Sequence, residues 1–434
     1  MNLLYANDRR GQYPQSWYAA TSESLPRFAP LKGAQKADVC VVGGGYTGLS
    51  AALHLAQSGR DVVLLDAQRV GFGASGRNGG QLGSGQRVEQ DKLEKMLGLD
   101  RAKKLWQMGE DAKGLVKSLI AEHQIECHLK PGIAWTASVM SDVESLHRYA
   151  DHLRGTYGYD QIETLDHSQL QDVCPSPDYC GGTLDMGAAH LHPLRFALGL
   201  AHAAQKAGVR IFEGSAVHHI EEGVKAKVQT DAGHVSADHV ILACNGYIGT
   251  LNRKVAARVM PINNFVVATE PLGEGVRDVL PRDVAVADSR FVVNYFRLSH
   301  DGRLLFGGGE NYGYKFPTDI AAKVRAPMSV IFPHLSDVKI DYAWGGTLGI
   351  TVKRMPHLAR VGRNILSASG YSGHGVGNAT QAGLLMARAI QGDGDGFDTM
   401  AAVPAMPFPG GGALRTPLLV MAMSWYALRD RLGI

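Results

Sequence analysis

The apolar residues first form an unbroken run at Val39–Val42, the pattern of a short strand buried on both faces. A glycine turn follows, then an amphipathic stretch with Leu49, Ala52, Leu53 and Ala56 on one face that stops at Gly59. Asp61–Leu65 reads as a second strand, closed by Asp66. Helical spacing dominates from Gln90 to Gln124 and again over Val143–Tyr157, and GIAWTASV alternates as a strand. A second α/β element begins at His192. Pro193 suits a first helical position, Leu194–Gly208 reads as helix and Val209–Phe212 as strand. AVHHIEE, KAKVQTDAGHV and HVILACNGY read as further strands. Residues 262–345 carry β-like runs, with Asp301-Gly302 as a hairpin turn between alternating strands. A last strand, NILSASG, enters a glycine turn and the helical stretch YSGHGVGNATQAGLLMARAI.

Strand–turn–helix units thus recur at the start, middle and end, interrupted by β-rich stretches. The pattern predicts an α/β protein, α+β overall. A Rossmann-like domain is assembled from discontinuous segments (37–90, 185–260 and 346–400), and an antiparallel-sheet domain (91–184 and 261–345) is inserted into it. An irregular arm precedes them at 1–36, and a tail helix follows at 401–434.

A chain of 434 residues with 45% apolar and 20% charged residues can bury a large core, so disorder is excluded. The net charge of +3 without a basic block gives nucleic acid no footing. The five cysteines are scattered and odd in number, which implies reduced thiols and a cytoplasmic chain. None stands at zinc-like spacing, so no metal is assigned. The polar start is not a signal peptide, and no apolar run is long enough to cross a bilayer.

Gly43, Gly45 and Gly48 fall in the spacing G-x-G-x-x-G between strand and helix, and Asp66 ends the second strand where a carboxylate can bind ribose. These features make the first unit a dinucleotide site. Three more favour FAD over a nicotinamide cofactor alone. A second strand–G-x-G-x-x-G–helix unit is missing, since GFGASG (71–76) has the spacing but opens no helical pattern, so electrons come directly from the substrate. GASGRNGGQ (73–81) offers many amides near a pyrophosphate and a ring edge. GYSGHGVGNATQAG (370–383) starts a helix whose positive end can stabilise the charge of a reduced flavin. A purely nicotinamide-dependent enzyme and a non-catalytic FAD-binding subunit of a larger dehydrogenase are the alternatives.

The segments ADVCVVGGGYTGLSAALHLA, GFGASGRNGGQ, AHLHPLRFALGLA, DGRLLFGGG, SGYSGHGV and the tail PFPGGGALRTPLLVMAMSWYALRDRLGI span nearly the whole chain. Together they resemble the FAD-dependent amine and amino-acid oxidoreductases of the D-amino-acid-oxidase (DAO) superfamily. Within it they are most similar to bacterial members of putrescine catabolism that oxidise the free amine of gamma-glutamylputrescine. The resemblance implies a flavoprotein oxidising a C–N bond: hydride passes to flavin N5, the imine is hydrolysed, and oxygen or a respiratory acceptor reoxidises the flavin. An amino-acid oxidase or dehydrogenase of the D-amino-acid, sarcosine or pipecolate type is the alternative.

Carried over by position, the resemblance implies that Gly43, Gly45, Tyr46, Thr47 and Gly48 meet the pyrophosphate and Asp66 the ribose. Ser75, Asn78, Gly79, Gly80 and Gln81 run beside the phosphates and ring. Val217 faces adenine, Ala243 and Gly246 lie near the nucleotide, and Gly373, His374, Gly375 and Val376 cover the pyrimidine edge. GASGRNGG lacks the histidine, and the region after Cys244 the cysteine, through which some relatives bind flavin covalently, so FAD is expected to be non-covalent. Lys353 is larger than the residue the resemblance implies there.

His374 is a catalytic candidate that touches flavin or the substrate amine, with a structural bond inside the turn as the alternative. Tyr295 and Arg297 share a strand face, where Arg297 can meet a substrate carboxylate or serve domain packing. Trp344, Tyr342 and Tyr371 are candidates for an aromatic wall, while His190 and His192 read as structural. The tail is apolar between Arg415 and Arg429 and too short to span a bilayer. It reads as a helix docked on the protein or a second subunit, or as a peripheral contact with the inner membrane.

Overall fold

The computed structural model of the protein describes residues 2–409. The expected tail helix lies outside them from residue 410 onward. The described chain builds two sheets with a cavity between them.

The first sheet has eight strands. Its central order is His357–Gly362, Ile365–Ser369, Gly233–Leu242, Gly33–Val42, Val62–Leu65 and Arg210–Phe212, and the hairpin Val217–Glu221/Ala226–Thr230 joins beside Gly233–Leu242. From Ile365–Ser369 to Arg210–Phe212 all pairings are parallel. The first strand begins at Gly33, earlier than its apolar run, because Gly33–Ala37 pairs in register with Gly233–Ala237. Backbone pairing, rather than burial, holds that polar half.

Helix Tyr46–Gln57 follows the glycine turn and is buried on more than its predicted face. One side meets the sheet, and the other meets helix Gly375–Ile390 so closely that a Cβ at Gly383 would lie 2.4 Å from the Thr47 carbonyl oxygen. Helix Pro193–Lys206 packs alongside, and these helices share one apolar core with the sheet. A second core fills the opposite face.

The second sheet has nine strands. Its order is Ile340–Ile350, Met260–Thr269, Leu304–Asn311, Tyr295–Leu298, Ala285–Asp288, Lys130–Ala137, Gly181–His190 and Gln81–Leu82, with Ile162–Leu165 beside Gly181–His190. It is antiparallel except where Ala285–Asp288 runs parallel to Lys130–Ala137. The Asp301-Gly302 turn joins Tyr295–Leu298 to Leu304–Asn311, with Gly302 at φ +75°. Helix Ile320–Ile331 covers one face, burying Val324, Met328 and Ile331 against Phe265, Phe296 and Phe306. The β-like reading of 262–345 missed this helix, whose interior Pro327 obscures its periodicity. The stretch from Gln90 to Gln124 is likewise two helices, Gln90–Leu97 and Leu99–Glu122, because Gly98 turns out of helical geometry at φ +85°.

The two sheets interlock. Gln81–Leu82 leaves the first nucleotide-binding segment and pairs with Ala189 and His190 of the second sheet. Strand Gly181–His190, all in the second sheet, crosses into the sequence segment expected for the first domain. Among the described residues no helix is long and apolar enough to cross a membrane.

Candidate functional site

Two helix N-termini open into one cavity of about 940 Å³, at the upper end of the roughly 300–1,000 Å³ usual for ligand sites. One starts at Tyr46 after the Gly43–Gly45 turn, and the other at Gly375 after Gly373 and His374. Neither N-cap, Gly45 or His374, closes its helix with a side-chain hydrogen bond. First-turn amides at both ends are therefore left for a ligand, and the helix dipoles favour negative charge there. Among the described residues only the Tyr46 N–H is used, donating to Ser75 Oγ at 3.0 Å.

The turn requires its glycines. Gly43 sits at φ +110°, and a Cβ there would lie 2.6 Å from the Ala243 carbonyl oxygen. Gly48 does not line the cavity; a Cβ on it would stand 1.8 Å from the Gly43 carbonyl oxygen, so its part is to seat the helix against the turn. Asp66 does line it. Its carboxylate accepts the Gly44 N–H and the Gln68 N–H, each at 2.7 Å. Burial pushes its carboxyl up to about 6 against those two bonds. Thr47 and Tyr371 hydroxyls bond at 2.7 Å and tie the two glycine turns together.

The expected second segment is also in place. Ser75, Asn78, Gly79 and Gln81 line the cavity, while Gly80 faces away toward the Leu191 carbonyl. Asn78 folds its own loop, donating to the Ala74 and Ser75 carbonyls and accepting from the Gly80 N–H at 2.8 Å. Gln81 donates to the Val286 carbonyl at 2.8 Å and anchors the loop to the second sheet. Val217, Ala243, Gly246, Gly373, His374, Gly375 and Val376 complete the predicted set in the wall.

The catalytic candidates separate. Tyr295 lines the cavity, wedged between Gly79 and Gly307, with its hydroxyl donating to Asn264 Oδ1 at 2.5 Å. Arg297 does not line it. Its buried guanidinium bonds the Gly79 and Leu298 carbonyls and the Tyr18 hydroxyl, holding the loop from behind, which is the packing alternative rather than a carboxylate clamp. His374 lies in the wall against Gly83 with Nε2 buried and unpartnered. Burial, then the Arg87 charge, pulls its imidazole down to about 4, so it is neutral at pH 7.

Of the proposed aromatic wall only Tyr371 reaches the cavity; the Trp344 indole N–H donates to the Arg77 carbonyl in the core. His190 and His192 are buried and structural. His190 Nε2 lies 3.2 Å from the Asp283 carbonyl oxygen, and His192 caps helix Pro193–Lys206 by accepting the Arg195 N–H.

Three groups of lining residues escaped the sequence reading. Trp135 and Phe291 add apolar wall. Arg87, Arg354 and Glu310 add charge, and Arg354, not its neighbour Lys353, faces the cavity. The N-terminal arm contributes Asn2–Tyr5 and Arg10. No local pattern marks any of these; they meet only through the tertiary fold.

The cavity fits an extended dinucleotide. Two uncapped helix starts offer amides to anionic parts, a carboxylate stands beside the first of them at a strand end, and glycines leave room where side chains would fill the cradle. Among the described residues no cluster of His, Cys, Asp and Glu could hold a metal ion.

The fold and this cradle define a flavin-dependent oxidoreductase, and the chain belongs to the FAD dependent oxidoreductase (DAO) family, which matches residues 38–389. It is 44% identical over 417 residues to the "probable oxidoreductase OrdL" of Rhizobium meliloti, covering 96% of this chain and 97% of that one. It is 41% identical over 425 residues to the gamma-glutamylputrescine oxidoreductase of Escherichia coli, covering 98% and 100%. Among solved structures, glycine oxidase from Geobacillus kaustophilus shares the fold with a TM-score of 0.69 at 21% identity, over 82% of this chain and 95% of that one.

Proposed function

We propose that the protein oxidises the primary amine of gamma-glutamylputrescine or a similar amine, using non-covalently bound FAD. The observation that carries the substrate is the end-to-end likeness to the Escherichia coli enzyme. When bound, FAD supplies the acceptor for a hydride from the carbon bearing nitrogen. The imine left behind is hydrolysed by water to an aldehyde.

The chain's own residues bind, orient and exclude water. Amides at the two helix starts hold the pyrophosphate and favour negative charge at the pyrimidine edge. Asp66 accepts from ribose hydroxyls. Tyr295, Trp135 and Phe291 form a wall that keeps water from the reacting carbon. The amine must be neutral to lose hydride, and a cavity that disfavours charge lowers its pKa. Dissociable FAD is supported by the cysteines. Cys244 alone lines the cavity among the described residues, beside Asp66 at the ribose end, and burial pushes its thiol up to about 12.

The strands support a FAD-binding unit of segments 37–90, 185–260 and 346–400 and a substrate unit of 91–184 and 261–345, except that Gln81–Leu82 and the ends of Gly181–His190, Met260–Thr269 and Ile340–Ile350 that fall in the first unit's segments pair in the second sheet. Reoxidation falls to oxygen or a respiratory acceptor. Reduced cysteines support a cytoplasmic location, and the apolar tail supports peripheral contact with the inner membrane. Anaerobic mixing tests the substrate. Gamma-glutamylputrescine should bleach the flavin bands fully, whereas glycine, sarcosine, pipecolate and D-alanine should not. Bleaching by the α-amino acids alone would establish the second reading, an amino-acid oxidase, which the glycine oxidase fold favours.

A further inference from the structure

Arginines placed inside this molecule are almost always paired. Arg69 meets Glu213 at 3.3 Å, Arg77 meets Asp8 at 2.9 Å, Arg290 meets Asp178 and Asp288, and Arg303 meets Asp301 and Asp341. Arg297 is satisfied by carbonyls. Arg87 and Arg354 are different. Both are half-buried and line the cavity, and neither guanidinium makes an ion pair or hydrogen bond among the described residues. Burial, and then the charge of Arg354, makes the Arg87 cation harder to hold. Two like charges facing one cavity are unfavourable unless an anion joins them.

Glu310 lines the same cavity and is a Coulombic neighbour of Arg87, yet pairs with neither arginine. Its carboxylate is instead oriented by the Tyr312 hydroxyl, which donates to Oε2 at 2.6 Å. Arg354 is held in place by a turn with φ +62°, unusual for a side-chain-bearing residue, just after strand Ile340–Ile350. Two cations and one separately tethered anion around a cavity complement a zwitterion, with carboxylate on the guanidinium pair and ammonium on the glutamate.

We propose that Arg87, Arg354 and Glu310 form the subsite for the α-amino-acid head of the substrate, the end remote from the oxidised amine. The proposal rests on the reading of the substrate as a gamma-glutamyl amine. The head carries both charges on one carbon, and an unacylated diamine has neither the carboxylate nor this pairing. The subsite therefore selects the glutamylated amine over the free one without taking part in the chemistry.

Three substrates with the same reacting amine test it: gamma-glutamylputrescine, its analogue lacking the carboxylate (4-aminobutanoyl-putrescine) and its analogue lacking the α-amine (glutaryl-putrescine). Arg87→Ala and Arg354→Ala should each raise KM about 10- to 100-fold for the two carboxylate-bearing substrates and leave the third unchanged, with kcat little altered. Glu310→Gln should raise KM for the two amine-bearing heads and spare glutaryl-putrescine. Visible circular dichroism of the bound flavin should match wild type in all three variants. Loss of flavin from the arginine variants would mean that the pair serves the cofactor, and equal losses on all three substrates would mean a general packing effect; both overturn the subsite. If the wild type treats putrescine and its gamma-glutamyl amide alike, the substrate reading itself fails. If it prefers the amide and the arginine variants keep that preference, the subsite alone fails.

Discussion

At the scale of single residues, neither His374 nor Tyr295 in the cavity wall is a base tuned for neutral pH, and the Asp66 carboxylate, raised to about 6, is engaged by the Gly44 and Gln68 N–H groups. His374 is held neutral down to about pH 4, and burial raises the Tyr295 phenol above its ordinary range. The proton on the substrate amine must therefore leave to solvent before hydride transfer. The expected consequence is a log kcat/KM that rises with unit slope from about pH 6 to about pH 9 and levels near the amine's own pKa, about 10 for an alkylamine like lysine. A bend between about pH 6 and 7.5 that His374→Asn removes would show instead that the imidazole titrates in the reaction. The residues that sequence disclosed are those under steric compulsion: Gly43 and Gly48 leave no room for a Cβ, and Asp66 must end its strand. Charged residues were not so legible. Arg297 and Arg87 look alike in sequence; the Gly79 and Leu298 carbonyls and the Tyr18 hydroxyl satisfy one guanidinium, and the other is left without a partner among the described residues. Only the fold decides which arginine faces a ligand.

At the scale of elements, the N-terminal arm behaves as a strap. Gln68, just past Asp66, donates to the Leu4 carbonyl and accepts the Gly11 N–H, both at 2.6 Å. Asp8 pairs with Arg77, and Asn7 bridges to Tyr314 and Phe316. The arm so lines the cavity beside Asp66 and Gln68 while Trp17 and Tyr18 anchor its far side in the core. Deleting residues 2–10 should speed FAD release about tenfold or more, read as recovery of flavin fluorescence on dilution, since several hydrogen bonds over the mouth are lost. An unchanged release rate would make the strap a mere surface segment. In sequence the arm offered only prolines and polar residues, because its order comes from partners elsewhere in the chain. The βαβ unit was legible because strand, turn and helix agree locally. Helix Ile320–Ile331 was hidden by Pro327, and its formation rests on the apolar face it buries against Phe265 and Phe296.

At the scale of the whole molecule, the interleaved segments share one cavity, so a cofactor held there would bridge both sheets. Ligand that binds only the folded chain stabilises it by mass action, on the order of 3 kcal/mol at about a hundredfold excess over Kd. The apoprotein should therefore melt lower than the holoprotein, with a Tm that climbs with FAD concentration in a single transition; a Tm indifferent to FAD would deny that the cradle joins the two halves. The alternation of strands and helices made this discontinuous plan readable. The crossing of Gln81–Leu82 into the second sheet was not, since a two-residue strand carries no periodicity of its own.

The wide separation of the two glycine turns along the chain sets an order of events at birth. Gly43 leaves the ribosome first, and Gly375 with the helix it begins follows 332 residues later. Half a cradle has only one set of amides to offer, so a nascent polypeptide has nowhere to keep its vitamin-derived passenger. Keeping the dinucleotide therefore waits until the second turn has been made and folded against the first.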